Sequence, residues 1–192
     1  LEPVAPPTQK AIFAYGDTGS YLSLSNLVNS SGVIAADVTG VGTARGYPGA
    51  ATYGGDKAIF AYGTSGSATN ISNLVTSSGV VGSDVTGVGT ARYFIGAAEY
   101  GTDKAIFAYG DTGSKVSMSN LVTNEGVVGS DVTGVGTARR SNNNGAGYGT
   151  DKAIFAYGDT GSFTNISNLV SNVGVVGSDV TGVGTARKYV AA

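Results

Sequence analysis

The sequence predicts an all-β fold of four sheets arranged in a ring, and three observations support this prediction. One unit is repeated four times along the chain, and each unit contains several short apolar runs separated by turn residues. No segment has the capped 3.6-residue apolar period that indicates a helix. Glycine is abundant at 32 residues and proline scarce at 4, a composition typical of short strands joined by tight turns.

The repeat is defined by two long sequence matches. Lys-Ala-Ile-Phe-Ala-Tyr-Gly begins at Lys10, Lys57, Lys104 and Lys152. Asp-Val-Thr-Gly-Val-Gly-Thr-Ala-Arg ends at Arg45, Arg92, Arg139 and Arg187. We therefore predict an N-terminal extension at residues 1–9 and a single domain at residues 10–192, with repeats starting at 10, 57, 104 and 152.

Each repeat predicts four short strands. In one unit they are a small-residue strand, a strongly apolar strand, a third strand and a fourth, at Ala97–Tyr100, Lys104–Tyr109, Asn120–Val122 and from Val127 towards Val132. Gly101–Asp103 and Gly110–Ser114 contain the residues that favour turns. The second strand is apolar on both faces, which indicates a strand covered by layers on both sides. Sheets packed radially provide such layers, so the predicted fold is a four-bladed β-propeller with four strands per blade.

The ends of the chain predict how the ring closes. Inner strands rich in glycine and alanine occur at Pro48–Tyr53, Gly96–Tyr100 and Gly145–Tyr148, whereas the first repeat is preceded by Pro6 and Pro7. The missing copy follows the last arginine, at Lys188–Ala192. We expect this C-terminal strand to pair with Lys10–Tyr15 of the first repeat and to remove an exposed edge.

Two ring sizes fit the repeat. The glycine and alanine residues of the inner strands suit the narrow hub of a ring of four blades, which predicts a monomer. The alternative is a dimeric ring of eight blades. Its wider channel would call for larger or more polar residues near the axis.

The order of features resembles the kelch repeat. Ala-Arg is followed by Ala-Ala-x-Tyr-Gly and then by Asp-Lys-Ala-Ile-Phe-Ala-Tyr-Gly. Tyr15-Gly16 and its copies stand where the kelch pattern has Gly-Gly, and the kelch tryptophan is absent from the region of Val38. The resemblance covers nearly the whole chain and implies a β-propeller, although kelch propellers usually have more than four blades.

Composition narrows the possible functions. The net charge is −2 with only 12% charged residues, so no basic surface for nucleic acid is expected. No apolar run is long enough to span a membrane, and residues 1–9 lack the pattern of a signal peptide. The chain has no histidine and no cysteine, which removes the commonest general base and metal ligands. We predict no enzymatic activity, no catalytic residue, no metal site and no cofactor.

Two motifs suggest chemistry that their repetition makes improbable. Asp-Thr-Gly-Ser, at Asp17, Asp111 and Asp159, matches the nucleophile-site sequence of aspartic proteases. A catalytic pair needs two carboxyls about 3 Å apart, whereas these lie in separate repeats, so we predict that each binds its own turn. A hydrolase remains the weakest alternative. Gly-Val-Gly-Thr at Gly40 lacks the following helix that a phosphate-binding loop requires.

Two sets of residues are candidates for ligand binding. The four equivalent arginines Arg45, Arg92, Arg139 and Arg187 precede the inner strands, so we expect them near one mouth of the hub. They either bind an anion there or have a structural role, pairing with Asp37, Asp84, Asp131 and Asp179 or with turn carbonyls. The segment after each arginine differs between repeats and contributes the aromatic candidates Tyr47, Tyr93, Phe94 and Tyr189. A constant frame with variable patches is typical of binding scaffolds.

The predicted function is therefore a non-enzymatic propeller that binds a glycan, an anion or a protein. The alternative is a structural scaffold, natural or engineered, that has no ligand of its own.

Overall fold

The computed structural model describes residues 11–190 and 192, and within them the fold is all-β, with no helix. Eleven strands form four antiparallel sheets. The predicted extension at residues 1–9, together with Lys10 and Ala191, lies outside the described residues. In the part of the chain that the structure describes, there is no helix long and apolar enough to cross a membrane.

Each sheet corresponds to one repeat. Sheet 1 contains β1 (Ala11–Asp17) and β2 (Tyr21–Val28). Sheet 2 contains β3 (Gly49–Tyr53), β4 (Lys57–Ala61) and β5 (Ser72–Val75). Sheet 3 contains β6 (Gly96–Tyr100), β7 (Lys104–Ala108) and β8 (Ser119–Val122). Sheet 4 contains β9 (Gly145–Tyr148), β10 (Lys152–Asp159) and β11 (Phe163–Val170).

The prediction of four strands per blade is wrong. Sheets 2 to 4 have three strands and sheet 1 has two, and the predicted fourth strand is reduced to isolated bridges such as Val122–Val128 and Ser119–Val132. The reason is visible at Asn120. Its side-chain amide donates hydrogen bonds to the Gly129 carbonyl and to Asp131. Because the side chain occupies the Gly129 carbonyl, a backbone N–H of the neighbouring strand does not pair with it.

The middle strand is the core of each complete sheet. In β7, Ala105, Ile106, Phe107 and Ala108 are all fully buried, as the apolar pattern on both faces predicts. Tyr109 departs from the pattern, because its φ of 64° lies in the left-handed region and takes it out of the strand alternation. The equivalent tyrosines behave alike, with φ of 67°, 64° and 67° at Tyr15, Tyr62 and Tyr157.

Successive sheets pack face to face. The T-shaped contacts of Tyr62 with Phe107 and of Tyr109 with Phe155, with ring centroids 5.5 and 5.7 Å apart, join sheet 2 to sheet 3 and sheet 3 to sheet 4. Tyr15 contacts Phe60 in the same way at 5.5 Å. The core is therefore a stack of similar layers, one between each pair of consecutive sheets.

The C-terminal strand stays a prediction. Lys188, Tyr189 and Val190 are in no strand, and among the described residues β1 pairs only with β2. Since Ala191 and Lys10 lie outside the described residues, the structure tests only part of the pairing expected between Lys188–Ala192 and Lys10–Tyr15.

Candidate functional site

The repeated arginines lie between sheets, and most of them are buried. The side chains of Arg45, Arg92 and Arg139 are fully buried, and each guanidinium lies over the left-handed tyrosine of its own repeat. The distances from the guanidinium carbon to the ring centroid are 3.9, 4.3 and 3.8 Å, for Tyr15, Tyr62 and Tyr109. Each is a cation–π pair in a place from which water is excluded.

Arg92 has the fullest set of hydrogen bonds among the three buried arginines, since the Nε atoms of Arg45 and Arg139 have no partner among the described residues. Its Nε donates to the carbonyl of Tyr109 at 2.9 Å and its Nη2 to Oδ1 of Asn120 at 2.6 Å, both in the next repeat. Its Nη1 donates to the carbonyl of Thr90 at 3.0 Å and lies 3.8 Å from Asp131. The arginine therefore joins two sheets, and these contacts favour the structural alternative over an anion site.

Burial shifts the pKa of both side chains in the stack of Arg92 on Tyr62. Burial raises the pKa of Tyr62 to about 12, although Arg92 acts to lower it. Burial also lowers the pKa of the Arg92 guanidinium, a shift that Tyr62 and Asp131 oppose. The phenol therefore stays neutral near pH 7, and the stack consists of a cation on a neutral ring.

A hydrogen-bonded carboxylate fastens each of sheets 2, 3 and 4 to the sheet before it. Asp131 of the third repeat accepts hydrogen bonds from the backbone N–H and the hydroxyl of Thr90, at 3.0 and 2.6 Å. Asp84 binds Thr43, and Asp179 binds Thr137, in the same way. We call each of these contacts a latch. The Gly-Val-Gly-Thr sequence therefore positions a threonine for a neighbouring carboxylate.

The fourth latch is not formed. By the repeat, Asp37 would bind Thr185, yet within residues 11–190 no hydrogen bond joins them. Asp37 does accept a hydrogen bond from Asn26, as the other three aspartates do from the asparagine of their own repeat. Arg187 lies 3.9 Å over Tyr157 like its copies, but its hydrogen bond goes only to Thr185 of its own segment. The junction of sheets 4 and 1 therefore differs from the other three.

The aspartic-protease sequence forms turns, as predicted. Asp17, Asp111 and Asp159 each accept a hydrogen bond from the backbone N–H two residues ahead, at 2.6, 2.6 and 2.7 Å. This is the geometry of an Asx-type turn. The second carboxylate oxygen of Asp111 accepts a hydrogen bond from Arg140 at 2.6 Å. Its partner is therefore a cation and not the second carboxyl that a protease would need.

The variable segments meet at one place. The residue two positions before each of the three inner strands has a left-handed backbone, with φ of 54°, 52° and 59° at Tyr47, Phe94 and Asn143, and the equivalent Tyr189 has φ of 59°. None of these residues is glycine, and non-glycine residues held in this region concentrate at functional sites. The backbone at these positions turns four variable side chains towards a common point.

Aromatic rings dominate that point. The ring centroid of Phe94 lies 4.5 Å from that of Tyr47, 5.1 Å from that of Tyr93 and 6.4 Å from that of Tyr189. Tyr47 is 43% exposed and Tyr189 is 56% exposed. The four predicted aromatic candidates therefore form one surface, which we call the aromatic platform.

Charged and amide groups surround the platform. The Arg140 guanidinium carbon lies 5.2 Å from the Phe94 centroid, and the Lys188 ammonium lies 4.8 Å from that of Tyr189. Asn143 donates to the carbonyl of Pro48 at 3.2 Å, which joins the start of sheet 4 to the start of sheet 2. The sequence reasoning missed Arg140, Lys188 and Asn143, although all three lie in the variable segments that pointed to the aromatic residues.

In the described part of the chain, no group of three or more acidic residues is placed to hold a metal ion. The platform offers ring faces, one guanidinium, one ammonium and amide groups, which suits the binding of an uncharged or acidic polar molecule.

Comparison with known proteins adds little. No protein-family model matches the sequence, and no curated protein matches it. Among solved structures, a fungal alcohol oxidase of the AA5 family in complex with copper has a TM-score of 0.47 and 12% identity, covering 96% of this chain and 54% of that one. A protein of unknown function from Bacteroides caccae has a TM-score of 0.46 and 13% identity, covering 94% and 60%. The chain spans little more than half of each, and the kelch resemblance stays a prediction.

Proposed function

We propose that the four sheets are the blades of a four-bladed β-propeller whose axis passes through the aromatic platform. Two contacts support the proposal by spanning alternate sheets. Asn143 reaches Pro48, and Phe94 packs near Tyr189, so equivalent positions two repeats apart come together. Four repeated segments that converge in this way are expected around a tight axis.

We propose further that the protein is a non-enzymatic binding module and that the aromatic platform binds a glycan. The observation that supports this most is the gathering of four aromatic rings from the variable segments on one surface, with Tyr47 and Tyr189 exposed. Rings of this kind stack on the apolar faces of sugars, while Arg140 and Lys188 supply hydrogen-bond donors at the margin.

The size of the platform favours a glycan over a protein. A stable protein interface covers about 800 Å² per partner and contains about 20–30 residues. The platform has four rings, and two of them, Phe94 and Tyr93, are themselves partly buried against their neighbours. One or two sugar rings match this area.

A glycan array followed by titration calorimetry tests the proposal. We expect a defined group of glycans to bind, and a double variant with Tyr47→Ala and Tyr189→Ala to bind at least roughly tenfold more weakly, because stacking contacts of about 1.4 kcal/mol are lost. Tyr148→Ala is the matched control, since Tyr148 is a 39% exposed tyrosine at the far end of an inner strand.

Two results would contradict the proposal. If no glycan binds, the chain fits the alternative of a scaffold without a ligand. If a glycan binds equally well to the double variant and to the control, the platform is not the binding site.

A further inference from the structure

Strand β1 has an open edge where its copies have a partner. Strands β4, β7 and β10 each pair on both sides, whereas β1 pairs only with β2 among the described residues. The consequence shows at one ring. Phe13 is 61% exposed, while the equivalent Phe60, Phe107 and Phe155 are 5%, 0% and 0% exposed. Among residues 11–190 and 192, the strand position beside β1 is therefore unfilled.

A groove of about 720 Å³ lies along this edge. One wall is formed by Ile12, Phe13 and Ala14 of β1, and the other includes Phe60 and the inner-strand residues Ala50 and Ala97. The C-terminal residue, Ala192, also lines the groove, which remains open with that residue in place.

The filled copies show what the first residue of an occupant must be. Gly49 begins β3 opposite Ala61, and a methyl group added there would lie 2.8 Å from the ring of Phe107 in the next sheet. Gly96 stands in the same relation to Phe155, also at 2.8 Å. In the groove, Phe60 takes the place of these rings, so the same geometry calls for glycine opposite Ala14.

The filled copies also show where a tyrosine at the end of the inner strand packs. Tyr53 and Tyr100 end their inner strands and are buried against turn glycines of the sheet that follows. A methyl group at Gly126 would lie 2.9 Å from the Tyr53 ring, and one at Gly174 would lie 3.0 Å from the Tyr100 ring. At the equivalent Gly79, the three nearest atoms all belong to Leu27, and a tyrosine ring is not among them.

The filled copies also have a backbone hydrogen bond to the sheet that follows. After each tyrosine, a glycine N–H donates to an aspartate carbonyl of the next sheet, Gly54 to Asp103 at 2.7 Å and Gly101 to Asp151 at 2.8 Å. The matching carbonyl is that of Asp56, and it receives no hydrogen bond from residues 11–190 or 192.

We propose that this groove binds, in trans, an extended segment of another polypeptide with the chemistry Gly–Ala–Ala–x–Tyr–Gly. The segment adds a third strand to sheet 1, antiparallel to β1, by the strand addition that many peptide-binding sheets use. Its main chain pairs with β1, its small residues pass Phe60, its tyrosine packs on Gly79, and the glycine N–H that follows binds the Asp56 carbonyl.

A labelled peptide with the sequence of residues 48–56 (PGAATYGGD) is the probe, and fluorescence anisotropy with the full chain is the measurement. We expect saturable binding that weakens at least roughly tenfold when the peptide tyrosine is replaced by alanine or its first glycine by valine. Phe13→Ser in the protein removes the ring that lies opposite the second small residue and weakens binding as well, whereas Phe13→Leu retains it. The exposed turn variant Asp17→Asn is the control.

A chain that lacks residues 188–192 distinguishes the occupants. If the peptide binds this chain but not the full one, the C-terminal segment fills the position in cis and the proposal is overturned. If it binds neither, the groove takes no strand, and the proposal is equally overturned. Glycan binding at the platform is measured in the full chain only, because the shortened chain lacks Tyr189 of the platform and Lys188 beside it. The peptide result and the glycan result are then read from different titrations, so the two proposals fail independently.

Discussion

At the residue scale, the arginine that ends each repeat is buried in one copy and exposed in another. Arg92 is fully buried and donates to three oxygens, whereas Arg187, at the end of the last repeat, binds only the carbonyl of Thr185. The difference comes from the neighbour, because the acceptors of Arg92 on Tyr109 and Asn120 belong to the following sheet. The stability contributed by this arginine therefore depends on a sheet that comes after it.

Replacing these two arginines measures that dependence. We expect Arg92→Ala to lower the free energy of unfolding by about 3–5 kcal/mol, since it leaves buried acceptors without a donor and removes packing from Tyr62. We expect Arg187→Ala to cost about 1 kcal/mol or less, the loss of an exposed stack on Tyr157. Urea denaturation followed by circular dichroism gives both values. Equal losses would show that Arg187 has a buried partner as well.

The sequence identified these arginines as a set but not their burial. Their stacking partner is a tyrosine whose left-handed φ is decided by tertiary packing, so the alternation in Lys-Ala-Ile-Phe-Ala-Tyr-Gly places that ring on the wrong face. The aromatic candidates were easier to find, because Tyr47, Phe94 and Tyr189 vary between repeats that are otherwise nearly constant.

At the element scale, apolar pattern and turn residues predicted the inner, middle and third strands close to their observed bounds. The fourth strand failed because hydrophobicity at Val127 and Val128 does not reveal that Asn120 will bind the neighbouring carbonyl. A side chain that replaces a ladder hydrogen bond has no periodic signature. The same asparagine holds Asp131 in position, so the lost strand and the latch have one cause.

The latches predict acid sensitivity. Partial burial acts to raise the pKa of Asp131, but hydrogen bonds from Thr90 and Asn120 together outweigh it and hold the pKa below its ordinary value of 3.8. Asp84 and Asp179 are shifted in the same direction. Because the folded state binds protons less readily than the unfolded state, the stability from the latches is present above the unfolded pKa and lost as the pH falls through the folded pKa.

A pH series on a latch variant checks this sign. We expect Asp131→Asn to lower the free energy of unfolding at pH 7 by roughly 1–2 kcal/mol and to flatten the decline between pH 5 and pH 2. Asp56→Asn, at an exposed turn, is the control and should leave the slope unchanged. A variant that loses stability at pH 7 but keeps the full acid slope would show that the hydrogen bonds, and not the charge, matter.

At the scale of the whole molecule, the repeat predicts four equivalent junctions and the structure has three. Thr43–Asp84, Thr90–Asp131 and Thr137–Asp179 are formed, while among the described residues Asp37 and Thr185 each lack the partner that the repeat assigns. Both halves of the fourth junction are present in the chain. They complement each other in cis, as in the predicted ring of four blades, or in trans, as in the dimeric ring of eight.

Paired cysteines decide between these rings, since the chain has no cysteine of its own. We expect the double variant with Asp37→Cys and Thr185→Cys to form a disulfide within one chain on mild oxidation, because the four-bladed propeller that we propose brings the end of the last repeat back to sheet 1. Non-reducing electrophoresis and mass spectrometry give the result.

The pair Thr90→Cys and Asp131→Cys, at a latch that is already formed, is the control for cysteine geometry. A covalent dimer would select the ring of eight blades. If the control pair cross-links efficiently and the first pair does not cross-link at all, the four sheets form an open arc.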